Sequence, residues 1–206
     1  MKRLKSMGNT ELCYLTADEA ISAFKTKKLS PVELLNAVID QSQKVNETIN
    51  AFTYTFFDQA RDQAKLAEKR YADGEATKDL EGLPIGVKDE SGIKGQPLSK
   101  GSLIYKDYIA EDTSPVNQRV LDAGGIVHAR TATPEFSCAG FTWSRQWGVT
   151  RNPWNNKFTS GGSSMADQNI CGPFNGARLK CALPIKFAKR PDGIVGSLRF
   201  THPDRL

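Results

Sequence analysis

The sequence lacks any long apolar run. No stretch of 18 consecutive apolar residues occurs among its 206 residues, which excludes a helix long enough to span a bilayer. The basic start Met1-Lys2-Arg3-Leu4-Lys5 is not followed by the apolar segment of a secretory signal peptide. We therefore expect a cytoplasmic protein with no membrane partner. With 39% hydrophobic residues, the chain can still bury an ordinary domain core.

Cysteine and histidine are also scarce. The four cysteines show neither C-x-x-C spacing nor a nearby pair of histidines, so the sequence signals neither a zinc site nor a disulfide framework. These cysteines are Cys13, Cys138, Cys171 and Cys181. The two histidines, His128 and His202, both lack the sequence context of a catalytic histidine. We expect four reduced thiols, no metal, no cofactor and a structural role for His128 in a buried strand.

The formal net charge of +5 is concentrated in one segment. Residues 165 to 206 contain seven Lys or Arg residues against three Asp, which accounts for +4 of the total. These charges are scattered and do not form a patch interleaved with aromatic or amide side chains, as a surface that reads bases would. We therefore expect no specific nucleic-acid partner.

Several local signals predict an α/β fold. Capping boxes at Thr16-Ala17-Asp18-Glu19 and Ser30-Pro31-Val32-Glu33 predict helices that run to about Lys25 and about Val45. A third helix is expected over 58–71. The expected strands are 51–56, 83–87 and 126–130, with a helix at 113–123 before the last of them. This order predicts a layered α/β fold that begins with N-terminal helices.

Two stretches are suited to a functional site. In Ser160-Gly161-Gly162-Ser163-Ser164, two glycines precede paired hydroxyls, which suits a loop whose backbone adopts conformations closed to other residues. Taken alone, such a string is more often a flexible surface connection. At the end of the expected strand, Lys88 is unusual because burial disfavours a charged ammonium, and a neutral lysine is a base. The alternative is that Lys88 pairs with Asp89 or reaches solvent.

Six motifs together resemble the amidase signature family. They are Gly82-Leu83-Pro84-Ile85-Gly86-Val87-Lys88-Asp89, Gly101-Ser102, Asp122-Ala123-Gly124-Gly125-Ile126-Val127, Thr133-Pro134-Glu135-Phe136, Arg151-Asn152-Pro153-Trp154-Asn155 and Ser160-Gly161-Gly162-Ser163-Ser164. Their order and approximate spacing also resemble the family, over about residues 10 to 164. The resemblance implies that the Ser160 loop belongs to an active site and is not a linker.

The resemblance further implies a serine amide hydrolase with a Ser/cis-Ser/Lys triad and no catalytic histidine. By position, Lys88 matches the family's catalytic lysine, and Ser163 matches its bridging serine with a cis peptide bond. A serine hydroxyl attacks a carbonyl only when its proton is removed. A neutral lysine can remove it through an intervening hydroxyl that both donates and accepts. The implied partner is a small-molecule amide substrate.

The candidate for the attacking serine is Ser197, because Gly196-Ser197-Leu198-Arg199 is similar to the family's nucleophile turn. The backbone N–H groups expected to form the oxyanion hole are those of Ile194, Val195 and Gly196. Three features depart from the family: a valine stands where it has a glycine, Asp192 stands one place early, and the 34 positions from Ser163 to Ser197 exceed the family separation. The alternative is a chance match.

After Ser164 the resemblance ends within two residues. We therefore expect residues 10–164 to form the N-terminal part of an amidase signature domain. The resemblance implies an α/β fold with a layered mixed sheet flanked by helices, with N-terminal helices and incomplete as a domain. We expect residues 165–206 to be a poorly matching tail, disordered or aberrant, as a frameshift or premature stop would leave. The family's proteins are usually more than twice this length.

Three functions follow from these observations. The first is an amidase that hydrolyses a carboxamide C–N bond through an acyl-enzyme. The second is the glutaminase-type subunit of a tRNA-dependent amidotransferase, which shares the triad and works within a complex. The third is a truncated, inactive fragment without a functional nucleophile. The oligomeric state is not indicated by the sequence.

Overall fold

The computed structural model describes residues 9–75 and 77–162. Ser163, Ser197 with its expected oxyanion donors, and the expected tail at 165–206 lie outside the described residues. The described part of the chain contains five α-helices and five β-strands. In chain order these are α1 (Asn9–Leu12), α2 (Ala17–Lys25), α3 (Pro31–Ile49), β1 (Phe52–Thr55), α4 (Phe57–Asp73), β2 (Pro84–Lys88), α5 (Pro115–Asp122), β3 (Ile126–Thr131), β4 (Trp143–Ser144) and β5 (Gly148–Val149).

Both expected capping boxes are present. The Thr16 hydroxyl accepts the Glu19 N–H at 3.2 Å, while the Glu19 carboxylate accepts the Thr16 N–H at 2.8 Å. Ser30 and Glu33 make the same reciprocal contacts at the start of α3. Each box satisfies backbone donors that a helix start leaves unpaired, so these two starts could be predicted from local sequence.

The end of α3 differs from the expectation, because the helix continues four residues past Val45. The Asn46 side-chain oxygen accepts the N–H groups of Ala51 and Phe52, both at 2.9 Å. Asn50 then adopts a left-handed conformation, with φ of 55°, and ends the helix. The extension matters for the site because it fixes where the chain turns into β1.

The helix α4 packs against α3 through small side chains. Ala60 and Ala64 are fully buried and lie in one cluster with Leu35 and Ile39. Alanines at this spacing occupy one face of the helix and allow a close approach to the larger residues of α3. Gly74, in a left-handed conformation with φ of 73°, ends α4 close to the expected position.

The three longer strands form a mixed sheet in the order β1-β3-β2. The strands β2 and β3 are parallel and are connected through α5, while β1 is antiparallel to β3. This arrangement confirms the expected α/β class with a mixed sheet flanked by helices. The short strands β4 and β5, which were not predicted, form a separate antiparallel ribbon.

The central strand β3 is buried along its whole length. Burial on both faces is typical of a strand covered by helices, and Ile126, Val127 and Ala129 supply apolar side chains to it. No helix among the described residues is long and apolar enough to cross a membrane.

His128, in the middle of β3, is 1% exposed, as expected for a structural histidine. Its ring packs edge-on against Phe52, at a centroid distance of 6.0 Å, and stacks with Phe57, at 6.5 Å. Burial lowers the pKa of His128 to about 4, and a contact with the backbone of Ile85 opposes this only in part. Neither ring nitrogen has a partner with hydrogen-bond geometry among the described residues.

We expect His128 to make the fold sensitive to acid. Its folded pKa lies below the unfolded value, so between about pH 6.5 and pH 4 the unfolded chain binds a proton that the folded chain excludes. The free energy of unfolding should fall by about 2 kcal/mol between pH 7 and pH 4.5 from this group alone. Urea unfolding of the parent and of His128→Leu at both pH values measures it. Parallel pH dependences in the two proteins would contradict the assignment.

Candidate active site

Lys88 ends β2, where it pairs in register with Thr131 of β3. Side chains alternate along β2, so Val87 enters the core and Lys88 takes the opposite face. The Lys88 side chain is nevertheless only 11% exposed, and its Nζ lies 3.1 Å from Oε2 of Glu90. The carboxylate partner of Lys88 is thus Glu90 rather than Asp89.

Asp89 turns to the other side and is completely buried. Its Oδ1 accepts the backbone N–H of Ser99 at 2.9 Å, and its Oδ2 accepts the Ser99 hydroxyl. Burial raises the pKa of Asp89, while the hydrogen bonds from Ser99 and the charge of Arg130 act in the opposite direction. These contacts fix the backbone directly after Lys88.

Arg130 on β3 is the second fully buried charge. Its Nη2 donates to the carbonyl oxygen of Ser91, whereas Nε and Nη1 have no hydrogen-bond partner among the described residues. Burial lowers the pKa of Arg130, and the charge of Asp89 opposes that shift. For both Asp89 and Arg130, the opposite charge offsets the cost of burial only in part. Removing either residue would therefore leave the other as an uncompensated buried charge.

The segment after β3 forms a short 3₁₀ turn at Glu135–Ser137, and Ser137 contacts Glu90, the ion-pair partner of Lys88. Phe136 and Ser137 have positive φ values of 50° and 57°, which are uncommon outside glycine. The Ser137 hydroxyl donates to Oε2 of Glu90, the same oxygen that faces Lys88. Glu135 accepts a hydrogen bond of 2.6 Å from Ser102.

Gly101 allows the preceding loop to approach this segment closely. A Cβ at Gly101 would lie 2.7 Å from the carbonyl oxygen of Thr133, and its φ of 67° is left-handed. Both the space and the backbone conformation therefore require glycine here. The pair Gly101-Ser102 thus holds two loops together at the end of the sheet.

The glycine-rich loop has the backbone predicted for it. Gly161 and Gly162 are both left-handed, with φ of 68° and 66°. The Gly162 N–H donates to the carbonyl oxygen of Gly140 at 2.7 Å, and the Gly162 carbonyl accepts from the Thr142 hydroxyl at 2.9 Å. Ser160 is buried, and its N–H donates to the carbonyl oxygen of Thr150 at 3.1 Å. These contacts attach the loop to the β4–β5 ribbon.

The ribbon in turn is fixed at the end of the sheet that carries Lys88. Trp147 donates from Nε1 to the hydroxyl of Ser99, at 2.9 Å, and Ser99 binds Asp89. The Thr150 hydroxyl donates to the carbonyl oxygen of Asn50, at 2.7 Å, just before β1. Because β1 is antiparallel to β3, the start of β1 lies beside the end of β3. Lys88 lies at this same end of the sheet.

Of the predicted triad, the described residues therefore contain Lys88 alone. Lys88 and the loop up to Gly162 are present at one edge of the sheet. Ser163, Ser197 and the expected donors Ile194, Val195 and Gly196 lie outside the described residues. No group of three His, Cys, Asp or Glu residues that could hold a metal occurs in the part of the chain that the structure describes.

Sequence reasoning missed the residues that hold Lys88 in place. Glu90, Ser99, Ser137 and Trp147 carry no motif of their own and meet through contacts between distant segments. The sequence did contain a signal against pairing of Lys88 with Asp89, because neighbouring residues on a strand face opposite sides of the sheet.

The chain matches the family model described as Amidase over residues 33–165. Indoleacetamide hydrolase of Bradyrhizobium diazoefficiens is 35% identical over 185 residues, which cover 90% of this chain and 33% of that protein. The glutamyl-tRNA(Gln) amidotransferase A-subunit of Trichormus variabilis is 35% identical over 138 residues, covering 67% of this chain and 28% of its own length. The chain thus spans about a third of the length of these relatives.

Solved structures agree with these relatives. A bacterial aryl acylamidase of the amidase signature family superimposes with a TM-score of 0.70 at 30% identity, over 74% of this chain and 32% of that one. A fatty acid amide hydrolase superimposes with a TM-score of 0.73 over 81% of this chain and 30% of that one. Since its identity is 24%, it bears on the fold alone.

Proposed function

This chain belongs to the amidase family, and from that premise we propose that it hydrolyses a carboxamide C–N bond through a Ser/cis-Ser/Lys triad. In this proposal Ser197 is the nucleophile, Ser163 the bridging hydroxyl and Lys88 the base. A cytoplasmic location remains part of the proposal.

The chemistry requires two coupled proton transfers. Neutral Lys88 takes the proton of Ser163 while Ser163 takes that of Ser197, whose oxygen then attacks the amide carbonyl. Backbone N–H groups of Ile194 to Gly196 would stabilise the resulting oxyanion. Ser163 then donates its proton to the amide nitrogen while Lys88 returns a proton to Ser163, so the C–N bond breaks and ammonia or an amine leaves. Water then hydrolyses the acyl-enzyme.

The observation that carries the proposal is the environment of Lys88. A largely buried amine ends a strand at the same edge of the sheet to which the Ser160–Gly162 loop is tied through Trp147 and Thr150. Ser163, the expected relay, follows Gly162 directly in sequence. The proposed relay requires a short path between the Lys88 amine and the Ser163 hydroxyl.

Two relatives suggest substrates to test. The protein from Bradyrhizobium diazoefficiens is named for indoleacetamide, and the structural relative is an aryl acylamidase. Indole-3-acetamide and an aryl acylamide therefore form the amidase arm of a substrate panel. Glutamine is the other arm, because the match to the amidotransferase from Trichormus variabilis supports a glutaminase-type role as the second candidate.

A serine-reactive fluorophosphonate probe tests whether the chain can form an acyl-enzyme at all. We expect the parent to be labelled and Ser197→Ala to lose all labelling, while Ser22→Ala, a change at an exposed serine, keeps it. Labelling that survives Ser197→Ala would assign the nucleophile elsewhere. If well-folded parent protein takes up no probe and turns over no amide in the panel, the third interpretation, an inactive fragment, is correct.

A further inference from the structure

Glu90 and Ser137 form a second polar contact around Lys88 that the triad does not use. Glu90 Oε2 lies 3.1 Å from Lys88 Nζ and also accepts the Ser137 hydroxyl. Ser137 lies 3.0 Å, oxygen to oxygen, from the Thr133 hydroxyl, which ties it to the end of β3. The carboxylate is thus held between two elements and directed at the amine.

From this geometry we propose that Glu90, held in place by Ser137, is a positioning residue that holds the Lys88 amine in an ion pair and so limits its availability as a base. The inference rests on the proposed function, in which Lys88 removes a proton. An ammonium has no lone pair, so Lys88 must leave the ion pair and lose a proton before it can accept one. Glu90 is 40% exposed, which gives the pair access to water for that exchange.

The other charges near the end of β2 are directed elsewhere. Asp89 binds Ser99 on the opposite face, and Arg130 on β3 donates to Ser91. Glu135, on the same turn as Ser137, accepts from Ser102. Among the described residues, Glu90 is therefore the carboxylate within 4 Å of Lys88 Nζ.

The left-handed conformations of Phe136 and Ser137 support a dedicated role for this contact. Two consecutive non-glycine residues with positive φ are energetically unfavourable, and they direct the Ser137 side chain toward Glu90.

Trace acetylation of the amine tests the inference without requiring amide hydrolysis. The full chain is treated with limiting acetic anhydride at pH 8, and the ratio of acetylated Lys88 to acetylated Lys94, an exposed reference, is measured by peptide mass spectrometry. Removing the carboxylate in Glu90→Gln should raise this ratio about three- to fivefold, as expected for loss of a partly exposed ion pair. Ser137→Ala should raise it by a smaller factor, and Glu90→Asp should restore a low ratio.

Salt and a matched variant separate an electrostatic restraint from a general loosening of the fold. In 1 M NaCl the ratio should rise in the parent and remain unchanged in Glu90→Gln, because salt screens a pair that is partly exposed. Glu47→Gln, a change at an exposed glutamate of α3, should leave the ratio at the parent value. An equal ratio in the parent and in Glu90→Gln overturns the inference.

The same variants distinguish this inference from the proposed function. If the function holds, Glu90→Gln should also speed fluorophosphonate labelling at pH 7 by a similar factor. A raised acetylation ratio together with no labelling in any variant would count against the amidase function and leave the restraint on Lys88 established.

Discussion

Lys88→Met should lower the rate of fluorophosphonate labelling about 10³-fold at pH 8, because it removes the base while keeping a side chain of similar shape. Lys88 ends β2 and is mostly buried, so the unbranched methionine can occupy the same space. The rate constant for labelling, followed by fluorescence in a gel, measures the loss directly.

Two variants distinguish a base from a structural cation. Lys88→Arg keeps a positive charge that can pair with Glu90, but a guanidinium does not give up its proton at this pH. It should therefore fold like the parent and be as inactive as Lys88→Met. Lys94→Met, at an exposed position, should retain the parent rate. A Lys88→Arg protein that labels at the parent rate would show that Lys88 contributes charge and not proton transfer.

Asp89→Ala should lower the free energy of unfolding by about 3 kcal/mol at pH 7. The change leaves the Ser99 N–H without its acceptor and removes a negative charge that favours the charged form of the buried Arg130 guanidinium. It also removes the carboxylate that accepts from the Ser99 hydroxyl, and Trp147 in turn donates to that hydroxyl. Urea unfolding followed by tryptophan fluorescence measures the loss.

Controls for Asp89 concern both position and pH. Asp79→Ala, at an exposed aspartate, should change the free energy of unfolding by less than about 0.5 kcal/mol.

Burial raises the pKa of Asp89. Its contribution to the free energy of unfolding is therefore fully present below the unfolded-state pKa and is reduced as the pH rises through the folded-state pKa. The cost of Asp89→Ala should therefore be larger in acid than at pH 7. A cost no greater than that of Asp79→Ala would show that the cluster does not stabilise the fold.

The parts of the fold that were predicted correctly are those specified by neighbouring residues. The capping boxes at Thr16 and Ser30 each lie within four positions, and both helices start where they indicate. Gly161 and Gly162 likewise adopt a left-handed backbone, which glycine tolerates because it has no Cβ. The mixed sheet followed from the order of strands and helices together with the family resemblance.

The parts that were missed depend on residues that are far apart in the chain. Trp147 meets Ser99 across 48 positions, and Ser137 meets Glu90 across 47. No local pattern distinguishes these side chains from ordinary polar surface residues. The partner of Lys88 was missed for a different reason, because Glu90 lies only two positions away and the alternation of side chains along a strand favours it over Asp89.

The parallel pairing of β2 with β3 also has a consequence for how the chain is made. Lys88 pairs with Thr131, 43 positions later, so a ribosome must synthesise the whole α5 crossover before the strand ending in Lys88 has its neighbour. Until then Ile85 and Val87 belong to an unpaired apolar edge, which is a hazard for self-association. Slow translation between 89 and 131 would prolong that interval and with it the exposure of this edge.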